Sequence, residues 1–395
     1  MRVLHAIRTP WAPYSVMFSN DGTRLAAGGG AWYGEGGILL ARLATGEVAD
    51  TPMVGNPAEP GPGGNPPTVA GLYFSADDRH LVAATRRTSM GPGPTILFGV
   101  NDLAIAREAA FVPREPRDRR RGCATGVMLS GERALIRNHT MQIEELVAVR
   151  QFSDRLKCRG DDTRHHLTHS GMAVRRGWVF TGGGGSVGMA VWRPETGIRE
   201  AGKVAEGLVA VPLDSDLPIQ DIHVRKCRRV TAIAALPGED GLLTGGFDGE
   251  IDRWSFTDTV EQERLPIPDD PAVSIEPALE TPPNVREAVA KLAWATYSRA
   301  SVVGIVTLCD AARWLSVDAG GRLRLWRGST MLGAWTLPAP GTPRSLAAHP
   351  TEPWIAVGIK QGGFGHPSSL VLVLECGGEQ TSLDRVTGAA RPVHP

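Results

Sequence analysis

Short apolar runs of strand length recur along the chain, parted by polar turns and glycine-rich loops. Val16-Met17-Phe18 meets the polar turn Ser19-Asn20-Asp21-Gly22, and Leu25-Ala26-Ala27 then runs into Gly28-Gly29-Gly30. The same order returns from Gly71 and from Thr125, Gly171, Val230, Val302 and Arg344. Each unit reads apolar strand, polar turn, apolar strand, glycine-rich loop, then a third strand that often ends in Trp. A more polar fourth strand follows, such as Gly197-Ile198-Arg199-Glu200.

Four short strands returning every ~40–55 residues predict one four-stranded sheet per repeat. A single such sheet cannot bury both its faces, so neighbours must stack. The expected fold is therefore all-β: a seven-bladed β-propeller of four-stranded antiparallel blades, a single domain over residues 1–395. Arg2 to Arg8 precede the first innermost strand and are predicted to pair with Leu370 to Glu375. That pairing closes the ring and removes exposed sheet edges; the alternative outer strand is Thr381 to Val386. Two stretches interrupt the period. Thr51 to Thr68, rich in Pro and Gly, predicts a mobile loop. Thr259 to Ala300 predicts an insert whose residues Asn284 to Trp294 form a short helix, apolar at 285, 288, 289 and 292. Residues 377–395 are expected to be a tail.

On these residues the chain resembles the WD-repeat family. Val16-Met17-Phe18-Ser19-Asn20-Asp21-Gly22 is similar to the family's innermost strand and FSPDG turn. Leu243 to Trp254 (LTGGFDGEIDRW) is similar to its LASGSxDGxIxxW signature, and Leu43-Ala44-Thr45-Gly46-Glu47 to its turn into the outer strand. The repeats are degenerate: only the one ending at Trp254 keeps Asp and Trp in register, with His169 and His223 as remnants of the GH dipeptide. The resemblance implies that Asp248 holds its turn by hydrogen bonds. It also implies that Trp192, Trp254 and Trp326, ending third strands, are buried.

Composition narrows the function. Basic and acidic side chains balance at 42 each, which argues against nucleic acid and an anionic membrane as partners. The N-terminus shows no signal-peptide core, and no apolar run approaches the roughly 18 residues of a spanning helix. Five scattered Cys (123, 158, 227, 309, 376) without a CxxC pair predict free thiols in a reducing cytoplasm. Scarce Lys beside abundant Ala, Gly, Pro and Arg fits a GC-rich bacterial genome.

No catalytic, cofactor or metal set emerges. Cys158, Asp161, Asp162, His165, His166 and His169 fit no zinc spacing and sit among Arg residues that repel cations. The glycine runs lack the Lys-Ser/Thr of a phosphate loop, and no GxSxG is present. A propeller enzyme would need carboxylates or histidines from several innermost strands, which here read almost wholly apolar.

Strand alternation places the loops entering innermost strands on the same face as those between second and third strands. Three successive entering loops are basic: Arg114, Arg117, Arg119, Arg120 and Arg121; then Arg155, Lys157, Arg159 and Arg164; then Arg225, Lys226, Arg228 and Arg229. They read either as solvated charges, partly neutralised by Glu115, Asp118, Asp161 and Asp162, or as an arc for a carboxylate- or phosphate-bearing partner. Trp32, Tyr33 and Phe364 (with His366) fall in second-to-third-strand loops of the first and last blades, as binding anchors or as covers of the core. The expectation is a non-enzymatic scaffold that binds one or more proteins through this face. The alternatives are a propeller hydrolase or lyase and a phosphate or nucleic-acid binder.

Overall fold

The computed structural model describes residues 1–30, 36–51, 68–86, 92–111, 125–128, 133–137, 141–145, 172–175, 178–182, 187–188, 202–205, 208–212, 222–223, 230–236, 241–246, 249–256, 260–267, 301–361 and 369–376. Within them every paired strand runs antiparallel to its neighbour, in six four-stranded sheets, one three-stranded and one two-stranded. The chain is a β-propeller. Innermost strands Ala12–Phe18, Thr68–Phe74, Thr125–Met128, Met172–Arg175, Val230–Ala235, Val302–Thr307 and Thr342–Ala348 each lie against the next, and the last lies against the first.

Burial between neighbouring blades explains the sequence pattern. Val16 and Phe18 pack toward the last blade with Ala356, Val371 and Val373, while Met17 packs toward the second with Leu72 and Phe74. Both sheet faces are thus covered, and each fully buried Leu or Ile contributes roughly 1.5–3 kcal/mol. The glycine runs follow from the same crowding. A Cβ at Gly28 would stand 2.6 Å from Val69 of the next blade, and one at Gly245 2.4 Å from Val302. Only glycine lets the following blade approach so closely.

Arg2–Thr9 pairs with Ser369–Glu375 as the outer strand of the last sheet, in the order outer, third, second, innermost. The expected N-terminal pairing is therefore the one observed, since apolar Ile7 joins the core with Val371 and Val373. Two expectations need correction. The fourth sheet takes Leu208–Pro212 as its third strand and Gly202–Ala205 as its outer strand, so the outer strand precedes the third in sequence. Segments 189–194 and 197–200, given those places by the repeat, lie outside the described residues. Val260–Arg264 is the outer strand of the fifth sheet, paired with Ile251–Phe256, so the insert does not begin at Thr259. The expected helix, most of the 51–68 loop and the 377–395 tail also lie outside the described residues.

Candidate functional site

The two faces of the ring are built differently. On one, innermost and second strands are joined by tight turns, and in the first, second and sixth blades a carboxylate closes the turn. Asp21 Oδ1 accepts from the Thr23 amide (2.9 Å), Asp77 Oδ1 from Arg79 (3.1 Å) and Asp310 Oδ1 from Arg313 (3.0 Å). Ser19 and Ser75 hydroxyls donate to these Asp side chains at 2.6 Å. Such local bonds hold a short polar turn without secondary structure. These contacts draw the carboxyls of Asp77 and Asp310 below the ordinary range: hydrogen bonds lead at Asp77, and at Asp310 the Arg313 and backbone donors outweigh burial, which opposes them.

Neighbouring turns are also stitched together. Asp78 accepts from the Asn20 amide (2.8 Å) and the Asp21 amide (2.9 Å), binding the second blade to the first. His349 bridges the last blade to the first: its Nδ1 accepts from the Glu352 amide at 2.9 Å, leaving Nε2–H to donate to Gly22 O at 2.8 Å. Phe18 and Trp354 pack edge-on against its ring at 4.9 and 5.0 Å. Arg42 of the first blade pairs with Asp102 of the second. Among the described residues, the turns of this face are tied to one another across the first, second and last blades.

The opposite face is where the strand ends leave off and segments 31–35, 52–67, 87–91, 112–124 and 362–368 continue. The predicted binding residues are Arg117, Arg119, Arg120 and Arg121; Lys157, Arg159 and Arg164; Arg225, Lys226, Arg228 and Arg229; Trp32, Tyr33 and Phe364. All fourteen of these basic and aromatic positions lie outside the described residues, as do Asp248, Trp192 and the Cys158–His169 group. The described strand ends beside them supply the geometry. Five innermost strands carry a β-bulge at the same place, where one residue is inserted opposite the second strand: Tyr14, Ala70, Thr231, Val303 and Arg344. A bulge re-aims its side chain. Thr231 uses this to bond Gly245 O (3.1 Å) and Val302 O of the next blade (2.5 Å). Arg344 is the one charged residue of the five.

Trp254 and Trp326 are buried, as the family resemblance implied. Each indole donates to a hydroxyl ten residues earlier on the second strand: Thr244 at 2.8 Å and Ser316 at 3.4 Å. In the sixth blade Asp318 holds the turn between second and third strands, accepting from Gly320 and Arg322 amides at 3.0 Å and pairing with Arg324 at 3.0 Å. Burial raises its carboxyl above the ordinary range even so. Among the described residues no group of acids, imidazoles and thiols could hold a metal, and no helix is long and apolar enough to cross a membrane.

No family model matches the chain, and no curated protein does. Solved structures do. A chain in the crystal structure of the mitotic checkpoint complex is similar over 95% of this chain and 92% of its own, at 13% identity and a TM-score of 0.57. U3-55K covers 94% and 98%, at 12% identity and 0.58. The β-propeller domain of Cps50 (Swd1) from Myceliophteria thermophila covers 94% and 98%, at 11% and 0.53. These likenesses define the class: the fold is a WD-repeat-like β-propeller.

Proposed function

We propose that the protein is a non-enzymatic scaffold that binds one or more partner proteins through its loop-bearing face. The observation that carries this reading is the difference between the two faces. On one, the described turns bond within themselves and to the neighbouring blade, whereas the other collects the strand ends from which the longer segments continue. A rigid ring presenting variable connections on one side is suited to recognition. One structural neighbour comes from a complex, the mitotic checkpoint complex, and this supports protein partners in kind. Trp32, Tyr33 and Phe364 are the aromatic anchors of the proposed surface, and the basic residues favour an acidic partner.

The test is affinity purification from the native host, comparing the wild-type chain with two variants. Charge reversal at Arg119, Arg120 and Arg121 is expected to lose the specific partners. Charge reversal at the turn-face residues Arg79 and Glu352 is expected to keep them. Retention by the first variant together with loss by the second would place recognition on the wrong face and end the proposal.

A further inference from the structure

At the loop-face end of the last sheet, a polar row replaces the apolar one below it. Ile7, Ala356, Val371 and Val373 of that sheet pack toward the first blade in one core cluster with Trp11. Side chains on a strand alternate, so Thr9 lies on the face of Ile7, Ser369 on that of Val371, and Lys360 on that of Ala356. Gly358, between Ala356 and Lys360, verifies the direction: a Cβ there would meet Pro13 O of the first blade at 2.7 Å. Ile359 pairs with Leu370 and Thr342 with Lys360, so Lys360 stands between Ser369 and the bulged innermost strand that carries Arg344. Ser345, next to Arg344, donates to Pro13 O at 2.9 Å, turning the bulge toward the first blade as well.

Facing this row is Trp11, 4% exposed, whose Nε1–H is buried with no hydrogen-bond partner. Leaving a buried donor unmet is costly, and native folds rarely retain one without a use. The row places donors on this side of the sheet: the Ser369 hydroxyl, the Lys360 ammonium and the Arg344 guanidinium, with the Trp11 indole in the core cluster below them. Burial first, and the nearby Arg344 charge second, push the Lys360 ammonium below its ordinary range, as expected where like charges share a half-buried place. Arg344 and Lys360 have other interactions. With five and three N–H donors respectively, they retain capacity for more.

We propose that Trp11, Arg344, Lys360 and Ser369 form an oxyanion-binding site between the first and last blades, which takes a carboxylate or phosphate group of the bound partner. The inference rests on the scaffold reading and assigns it a specific point of contact. Bidentate guanidinium geometry and a neutral indole N–H both suit a planar or tetrahedral oxyanion better than a halide.

The test needs no partner, so its failure would leave the affinity-purification result to stand or fall separately. In the full-length chain labelled with 15N-tryptophan, the Trp11 indole resonance is assigned by its absence in Trp11→Phe, or by its selective perturbation in Ser369→Ala if that variant does not fold. Inorganic phosphate and succinate are then titrated against sodium chloride at equal ionic strength. The Trp11 resonance is expected to move saturably with at least one oxyanion and not with chloride. Phosphate alone would name a phosphorylated partner, succinate alone a carboxylate. Lys360→Met is expected to weaken the effect about tenfold and Lys360→Arg to retain it. A resonance unmoved by either oxyanion, or moved equally by chloride, would overturn the site.

Discussion

Single residues in this protein act through what surrounds them. Cys376 is a clear case: burial pushes its thiol up to about 12, whereas Cys309 is exposed. Since the thiolate is the reactive species, an alkylating reagent at mildly alkaline pH is expected to modify Cys309 rapidly in the native chain. Cys376 should react only on unfolding, which peptide mapping would show. Asp318 and Arg324 form a pair with side chains 7% and 11% exposed. Arg324→Ala strands the carboxylate and is expected to cost about 3 kcal/mol near neutral pH by chemical denaturation. The sign with pH follows from the raised Asp318 value. A folded state that holds its proton more tightly than the unfolded chain loses stability as pH rises from the ordinary carboxylate range through the raised one. The Arg324→Ala defect should therefore shrink in acid, where Asp318 is protonated, and a defect that grows there would contradict this account. His349→Ala removes the bridge from last blade to first and should cost about 1–3 kcal/mol in the same assay.

At the scale of elements, the closing strand decides the most. Arg2–Thr9 is the far end of the chain in sequence and the outer edge of the last sheet in space. Its Arg2–Glu375 ion pair is exposed and worth under about 1 kcal/mol, so Arg2→Ala should change little. Removing residues 1–9 takes away a whole ladder and the buried Ile7, exposing the edge of Ser369–Glu375. That truncation is expected to aggregate or to lower the thermal midpoint sharply, and a peptide of residues 1–9 added in trans should restore part of the loss. The strand was legible because Arg2 to Arg8 precede the first innermost strand, where the outer strand of a blade belongs. The fourth blade was not, since its repeat gave two strand-like segments and its sheet uses the ones that follow, Gly202–Ala205 and Leu208–Pro212. Local pattern names strands, while pairing is decided by what can be buried. Arg344 and Lys360 escaped notice for a related reason. The innermost strands read as apolar, and the bulge at Arg344 leaves no mark in a linear period.

For the whole molecule, the described turns of one face of the ring bond to one another, and the other face is the one proposed for partners. That bonding is visible in the repeated carboxylate-closed turns and in their stitching from blade to blade. The binding role proposed for the other face rests on where the long connections leave the strands and on the residue types in their sequence. The most direct measurement is hydrogen–deuterium exchange of the chain alone and bound to a co-purified partner. The account predicts new protection in 112–124, 151–171 and 213–229, together with the adjoining strand ends. It predicts none in the turns 19–24, 75–80, 308–313 and 349–354. Protection confined to those turns, with the loop segments exchanging as before, would contradict it.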